Sequence, residues 1–173
     1  MNILIQLFDI IRLKRRPSDI SFNETAAVIT FFAAIAASYF QMVANQTLTH
    51  APLPFVITQA SAQAAIFWLL LKFRGKENRF IQAATALFGT AAILQFFALF
   101  IIVVPALTIL GLVLTAWSFY LMVLILSEAI DCTIFQSILL TVAYHFIIGL
   151  FLVLIFPELF EQMRAAIEAN ATA

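Results

Sequence analysis

His145 is the residue of this chain best placed to do chemistry. It lies inside a long apolar stretch, and Ser137, Thr141 and Gly149 recur with it every four residues. At helical spacing these form one small or polar stripe. An imidazole held near mid-membrane could carry a proton or contact a ligand. Neighbouring stretches offer comparable stripes: Thr108, Gly111, Thr115 and Ser118; Thr85, Gly89 and Ala92; and Gln59 and Gln63, one turn apart. Judged by depth alone, Thr115, Ser118 and Gln95 are the expected neighbours of His145. One function for this set (His145, Thr141, Ser137, Thr115, Ser118, Gln95 and Gln63) is a polar path or small cavity. The other is packing, in which small residues let backbones approach and polar side chains hydrogen-bond across helices for about 0.6 kcal/mol each. The second is the commoner use of such residues. His145 is therefore expected to be a structural hydrogen-bonding residue facing the third or fourth span.

Other chemistry finds no support. Ser137 and His145 are two turns apart on one helix, too far for a nucleophile and its base. His50 and His145 fall at different membrane levels without carboxylate company, which argues against a metal site. The single cysteine, Cys132, allows neither an internal disulfide nor a cysteine-based metal site. No G-x-S-x-G, H-E-x-x-H, P-loop or G-x-G-x-x-G motif occurs. No catalytic residue and no cofactor is expected. Net charge is zero, so no whole-molecule field attracts nucleic acid.

The elements that must position these residues follow from composition. The 173 residues are 64% hydrophobic and 10% charged, with a mean hydropathy of +1.07. Soluble domains are about 25% charged. The chain is expected to be all-α: one membrane domain over residues 1–173, a polytopic bundle of five transmembrane helices. A span needs about 20 apolar residues. The runs are about 25–43, 55–71, 80–104, 106–127 and 133–156. Asn23 and Glu24 suit the start of the first. Pro52 and Pro54 precede the second, and Pro157 stops the fifth. Only Pro105 separates the third and fourth, which predicts a tight helical hairpin. Span one is rich in alanine, and the pairs Ala33–Ala37 and Ala34–Ser38 suit close helix contact, internal or with a partner.

The segment 1–16 is not expected to be a removable signal peptide, because its charges follow the apolar run and no A-x-A site appears. At helical spacing Asn2, Gln6, Asp9, Arg12 and Arg16 share one face. Ile3, Leu4, Leu7, Phe8, Ile10 and Ile11 share the other. This predicts an interfacial amphipathic helix lying on the membrane, with packing against the other helices as the alternative. The tail 158–173 is expected outside as a short, frayed helix.

Orientation follows from the basic residues. Arg12, Lys14, Arg15 and Arg16 precede span one, and Lys72, Arg74, Lys76 and Arg79 lie between spans two and three. Five spans put both clusters on one side, so eight of the nine positives share a face. That face is expected to be cytoplasmic, in an inner membrane, with the N-terminus inside and the C-terminus outside. These eight residues are the expected contacts for anionic lipid headgroups. The turn after span four carries Glu128 and Asp131 instead. Asn45-Gln46-Thr47 is a glycosylation sequon on the outer side, which matters only in a eukaryotic secretory pathway.

The layout resembles the Yip1-like family of small membrane proteins. The resemblance rests on the basic turn Arg15-Arg16-Pro17, the five helices that follow, and the stretch from Thr115 to Leu152. There Trp117-Ser118-Phe119-Tyr120 opens a long apolar run, Ser127-Glu128-Ala129-Ile130-Asp131 makes a polar turn, and span five resumes. The resemblance implies a small helical membrane protein that acts through partners or membrane organisation. The expected function is a non-enzymatic inner-membrane scaffold with a membrane-protein partner or a second copy of itself. The alternative is a small transporter or channel subunit using the stripes around His145.

Overall fold

The computed structural model describes residues 2–44, 52–104, 107–158, 160–161 and 164. Expectations that fall on His50, on the sequon at Asn45, on Pro105 and on most of the tail lie outside these residues. The chain is an all-helical membrane bundle. Its helices are α1 (Ile3–Ile11), α2 (Glu24–Ala44), α3 (Pro52–Phe73), α4 (Phe80–Val103), α5 (Thr108–Ala129) and α6 (Ile134–Ile155). Five of them, α2 to α6, are long and apolar enough to cross a membrane. Each begins and ends within a few residues of the boundaries expected from hydropathy.

Local chemistry sets these boundaries. The Asn2 side chain accepts from Leu4 N, and the Asn23 side chain accepts from Ala26 N, so asparagine caps both α1 and α2. Pro52 and Pro54 fall inside the first turn of α3, where a missing N–H costs nothing. Thr133 and Gln136 close a reciprocal capping box at the start of α6. Val104 turns extended before Pro105, as the residue ahead of a proline must. Leu107 N donates to Val104 O at 2.9 Å, which closes the tight α4–α5 hairpin.

Three helices stop at the same end of the bundle with a residue at positive φ: Leu13, Gly75 and Asp131. In each case the next residue's N–H reaches back five positions: Lys14 to Asp9 O, Lys76 to Leu71 O and Cys132 to Ser127 O. This satisfies carbonyls that the helix end leaves open.

The helix α4 is the hub, packed against α1, α2, α3 and α5, while α6 closes the bundle against α3 and α5. The tightest pairing is α2 on α4. Ala34 is buried there against Ala84 and Phe88 of α4, and Phe31 meets Phe88 edge-on with centroids 5.1 Å apart. Ser38 hydrogen-bonds Gln95 across the same interface. Ala34–Ser38 is thus spent inside the molecule, while Ala33 and Ala36 stay exposed.

The helix α1 does not lie free on the surface. Its buried side is Gln6, Leu7 and Ile10, which differs from the expected division. Gln6, placed on the polar face by spacing, is buried and accepts from Ser21 N at 3.2 Å. Leu7 fills the space above Gly89 of α4, and Trp117 Nε1 donates to Ile11 O at 3.1 Å. Leu4, Ile5 and Phe8 remain exposed. The helix is a wedge with one side on the bundle and an apolar side outward. Amphipathicity shows that a helix has two faces; it does not show that a glycine groove waits for one of them.

Candidate functional site

Two places gather the polar side chains. The first is the end of the bundle where α1, α3 and α5 stop. Glu128 Oε2 accepts from both the backbone N–H and the hydroxyl of Ser18, at 3.2 and 3.1 Å. This holds the short turn Pro17–Asp19 onto α5. Asp131 accepts from Arg79 at 2.8 Å and pairs with Lys76 at 2.7 Å, and Arg79 also donates to Glu128 O. Gln82 donates to Ile20 O at 3.0 Å. Three segments distant in sequence are therefore bonded into one surface.

The two carboxylates read as the exceptions of a basic face are its fasteners. Arg79 first, then Lys76, hold the Asp131 carboxyl down to about 2 from the usual 3.8. Of the eight basic residues, Lys76 and Arg79 are thus committed to Asp131. Lys72 sits over the Trp68 ring at 4.7 Å. Arg12, Lys14, Arg16 and Arg74 are exposed, and Arg15 is half-buried. Two grooves of about 420 and 410 Å³ flank the segment at Arg16 and Pro17. Arg16, Arg79, Gln82 and Asp131 line one, and Lys14, Arg15, Asp19 and Tyr120 line the other.

The depressed Asp131 carboxyl makes a pH prediction. Its folded value lies below its ordinary one, so the contribution of this fastener is complete above about pH 4. It is lost as pH falls towards about 2. Pepsin, which cuts in that window, should attack the 73–80 turn increasingly as pH drops from 4 to 2. Asp131→Asn should be cut readily already at pH 4. Equal cleavage of parent and variant across the window would sever Asp131 from the turn's protection.

The second place lies within the membrane. A cavity of about 380 Å³ is lined by Gln41, Gln95, Thr115, Ser118, Phe119 and His145, with Leu94, Ala98, Leu114 and Met122 completing its walls. The three neighbours expected of His145 by depth do share a cavity with it. They do not hydrogen-bond it. His145 Nδ1 instead meets Thr141 O, one turn back on its own helix, at 2.8 Å. Thr115 likewise donates to Gly111 O, and Gln95 accepts from Ser38. A smaller cavity of about 40 Å³ on the other side of Gln95 is lined by Ser38, Gln59 and Gln63. It has room for a water molecule.

The stripe on α6 divides. Ser137 and Thr141 are fully buried, whereas His145 is exposed and a Cβ on Gly149 would touch nothing. The cause is helical geometry. At about 100° per residue, each step of four overshoots a full turn by about 40°. Three steps rotate Gly149 about 120° away from Ser137. The buried line of α6 is Ser137, Thr141, Tyr144, Ile148 and Leu152. Ser137 Oγ donates to Val123 O of α5, and Tyr144 Oη donates to Gln63 O of α3 at 3.0 Å. Tyr144 is the residue that sequence reasoning missed. A mixed spacing of four and three, which keeps a stripe on one side, would have found it.

His145 therefore contributes little to holding the bundle together. His145→Leu leaves the Thr141 carbonyl inside a continuous helix, where it keeps its backbone partner. Detergent melts should place the cost below about 1 kcal/mol, with His145→Gln no better than Leu. A larger loss in the Leu variant alone would mean that the ring bonds across the cavity.

No family model matches the chain, and neither a curated protein nor a solved structure is significantly similar to it.

Proposed function

We propose that this protein is a non-enzymatic, Yip1-like scaffold of an inner membrane, with its N-terminus in the cytoplasm and its C-terminus outside. It works through its basic end, which rests on anionic lipid headgroups and receives a membrane-protein partner or a second copy of the chain. The observation that carries this is the fastening of the N-terminal segment, the α3–α4 turn and the α5–α6 turn by Glu128 and Asp131. It gives a fixed surface from which Arg12, Lys14, Arg16, Lys72 and Arg74 project. Each cation near an anionic surface is worth about 1 kcal/mol.

Native mass spectrometry from mixed-lipid nanodiscs tests the lipid half. Phosphatidylglycerol should be retained in preference to phosphatidylcholine. Neutralising Arg12, Lys14, Arg15 and Arg16 together should remove most of that preference. An unchanged lipid profile sinks it. Cys132 tests the orientation, since a membrane-impermeant thiol reagent can label only this residue. Labelling in inverted vesicles and not in intact spheroplasts is expected, and the opposite pattern reverses the topology. The partner half predicts a stoichiometric companion, or a dimer, that survives mild detergent and is lost on Glu128→Ala.

A small transporter or channel subunit is the second reading, favoured by the cavity that reaches His145. Proton or solute flux in proteoliposomes that disappears in His145→Leu, with melting unchanged, would put it first.

A further inference from the structure

The cavity lined by His145, Ser118, Thr115, Gln95 and Gln41 has a chemistry distinct from the basic end. We propose that it binds one neutral lipid whose head carries a free hydroxyl, of the diacylglycerol or quinol kind.

His145 sets the polarity of the site. Its Nδ1 lies 2.8 Å from the Thr141 carbonyl oxygen, which can only accept. The proton is therefore on Nδ1. In the neutral ring Nε2 is then a lone-pair acceptor, and no protein group among the described residues bonds it. Ser118 and Gln41 also have no hydrogen-bond partner among the described residues. Gln95 keeps its amide N–H groups, because Ser38 occupies only its oxygen. In hydrocarbon such groups need a partner. They ask for a ligand that donates one hydroxyl to an imidazole and accepts from amides and a hydroxyl.

The lining contains no Lys, Arg, Asp or Glu. A phosphate or ammonium placed here would lose its hydration with no countercharge, at a cost these walls cannot repay. Depth points the same way. At about 1.5 Å per residue, His145 is about 15 Å from the far end of α6, and Thr115 about 10 Å from the start of α5. A phospholipid head stays at the interface. Diacylglycerols and quinols carry no charge and can bring hydroxyls to mid-depth. The volume, about 380 Å³, falls within the usual range for small-ligand sites. His145 and Phe119 are exposed at the outer wall, with ring centroids 6.3 Å apart, so the cavity opens sideways to the hydrocarbon.

The test uses the full chain in phosphatidylcholine nanodiscs. Dioctanoylglycerol and decylubiquinol are titrated in separate arms, and binding is read by native mass spectrometry. A saturable one-to-one adduct is expected in one arm, and that arm identifies the head group. Dioctanoyl phosphatidic acid should not displace it. Ser118→Leu, which fills the cavity, and His145→Phe, which removes the acceptor, should each lower occupancy at least tenfold without moving the melting temperature. Arg16→Gln should leave it unchanged. If neither compound saturates, the cavity holds only water and the proposal fails. It fails equally if phosphatidic acid competes, or if both cavity variants bind as the parent does. None of these outcomes touches the scaffold proposal, whose readout is the phosphatidylglycerol preference of the basic end.

Discussion

Gly89→Leu is expected to expel α1 from the bundle. A Cβ at Gly89 would stand 2.6 and 2.7 Å from the two methyl groups of Leu7, closer than real contacts allow. Leu7 cannot swing aside freely, since it is only 1% exposed and packed in the main core. Overpacking of this kind costs about 1–3 kcal/mol. The wedge is also attached through the Trp117 bond to Ile11 O, the Gln6 bond to Ser21 N, Ile10 in the core, and Ile3 and Ile11 at its edge. It should yield before α4 does. The melting temperature should fall, and trypsin should cut after Arg12, Lys14 and Arg15 much faster than in the parent. The cause is separable from general damage by a double substitution. Gly89→Ala should cost less when Leu7 is also Ala, because the two changes act on one contact. Additive costs, or unchanged trypsin resistance in Gly89→Leu, would show that the groove is not what seats α1.

Much of this architecture is written in the sequence at the level of solvent. Runs of about 20 apolar residues leave a helix few alternatives in a membrane, so α2 to α6 are legible from hydropathy. Their ends are legible too where asparagine, threonine or proline supplies a cap or a stop, as at Asn23, Thr133 and Pro157. What the hydropathy profile lacks is direction. In a membrane both the lipid-facing and the packed sides of a helix are apolar, so no moment tells them apart. Gly89 was legible as a small residue but not as the seat of Leu7. Asp131 was legible as a charge in a turn but not as the carboxylate that ties Lys76 and Arg79. The polar cavity is a middle case: matched depth brought Gln95, Thr115, Ser118 and His145 together, yet could not say which would bond. Gln95 bonded Ser38 of α2 instead, and Thr115 and His145 each took a carbonyl one turn back on their own helix, which costs less order than a partner across a gap.

The same loss of direction makes two adjacent residues of α6 the sharpest comparison in the molecule. Tyr144 is 2% exposed, and its hydroxyl reaches the Gln63 carbonyl on α3. His145, the next residue, is exposed and bonds its own helix. Tyr144→Phe removes one interhelical hydrogen bond and should cost about 0.6 kcal/mol, with about 1.7 as the ceiling. Tyr144→Ala removes the ring as well. Between helices in lipid the adhesion is packing, and a vacated aromatic site cannot refill from a close-packed bundle. Loss of a buried aromatic costs about 3–5 kcal/mol in proteins generally. The remaining attachments of α6 include the Ser137 bond to α5 and the apolar contacts of Leu140, Ile148, Leu152 and Phe156, the last against Phe55 at 5.5 Å. Tyr144→Ala should therefore loosen the middle of α6 from α3 and lower the melting temperature more than any other single change on that helix. His145→Ala, one position along, should leave it within about 1 kcal/mol of the parent. Melts of the three variants in one detergent decide the matter. If His145→Ala proved the more damaging, the buried line of α6 would run through the imidazole, and the cavity would be a packing interface with no room for a ligand.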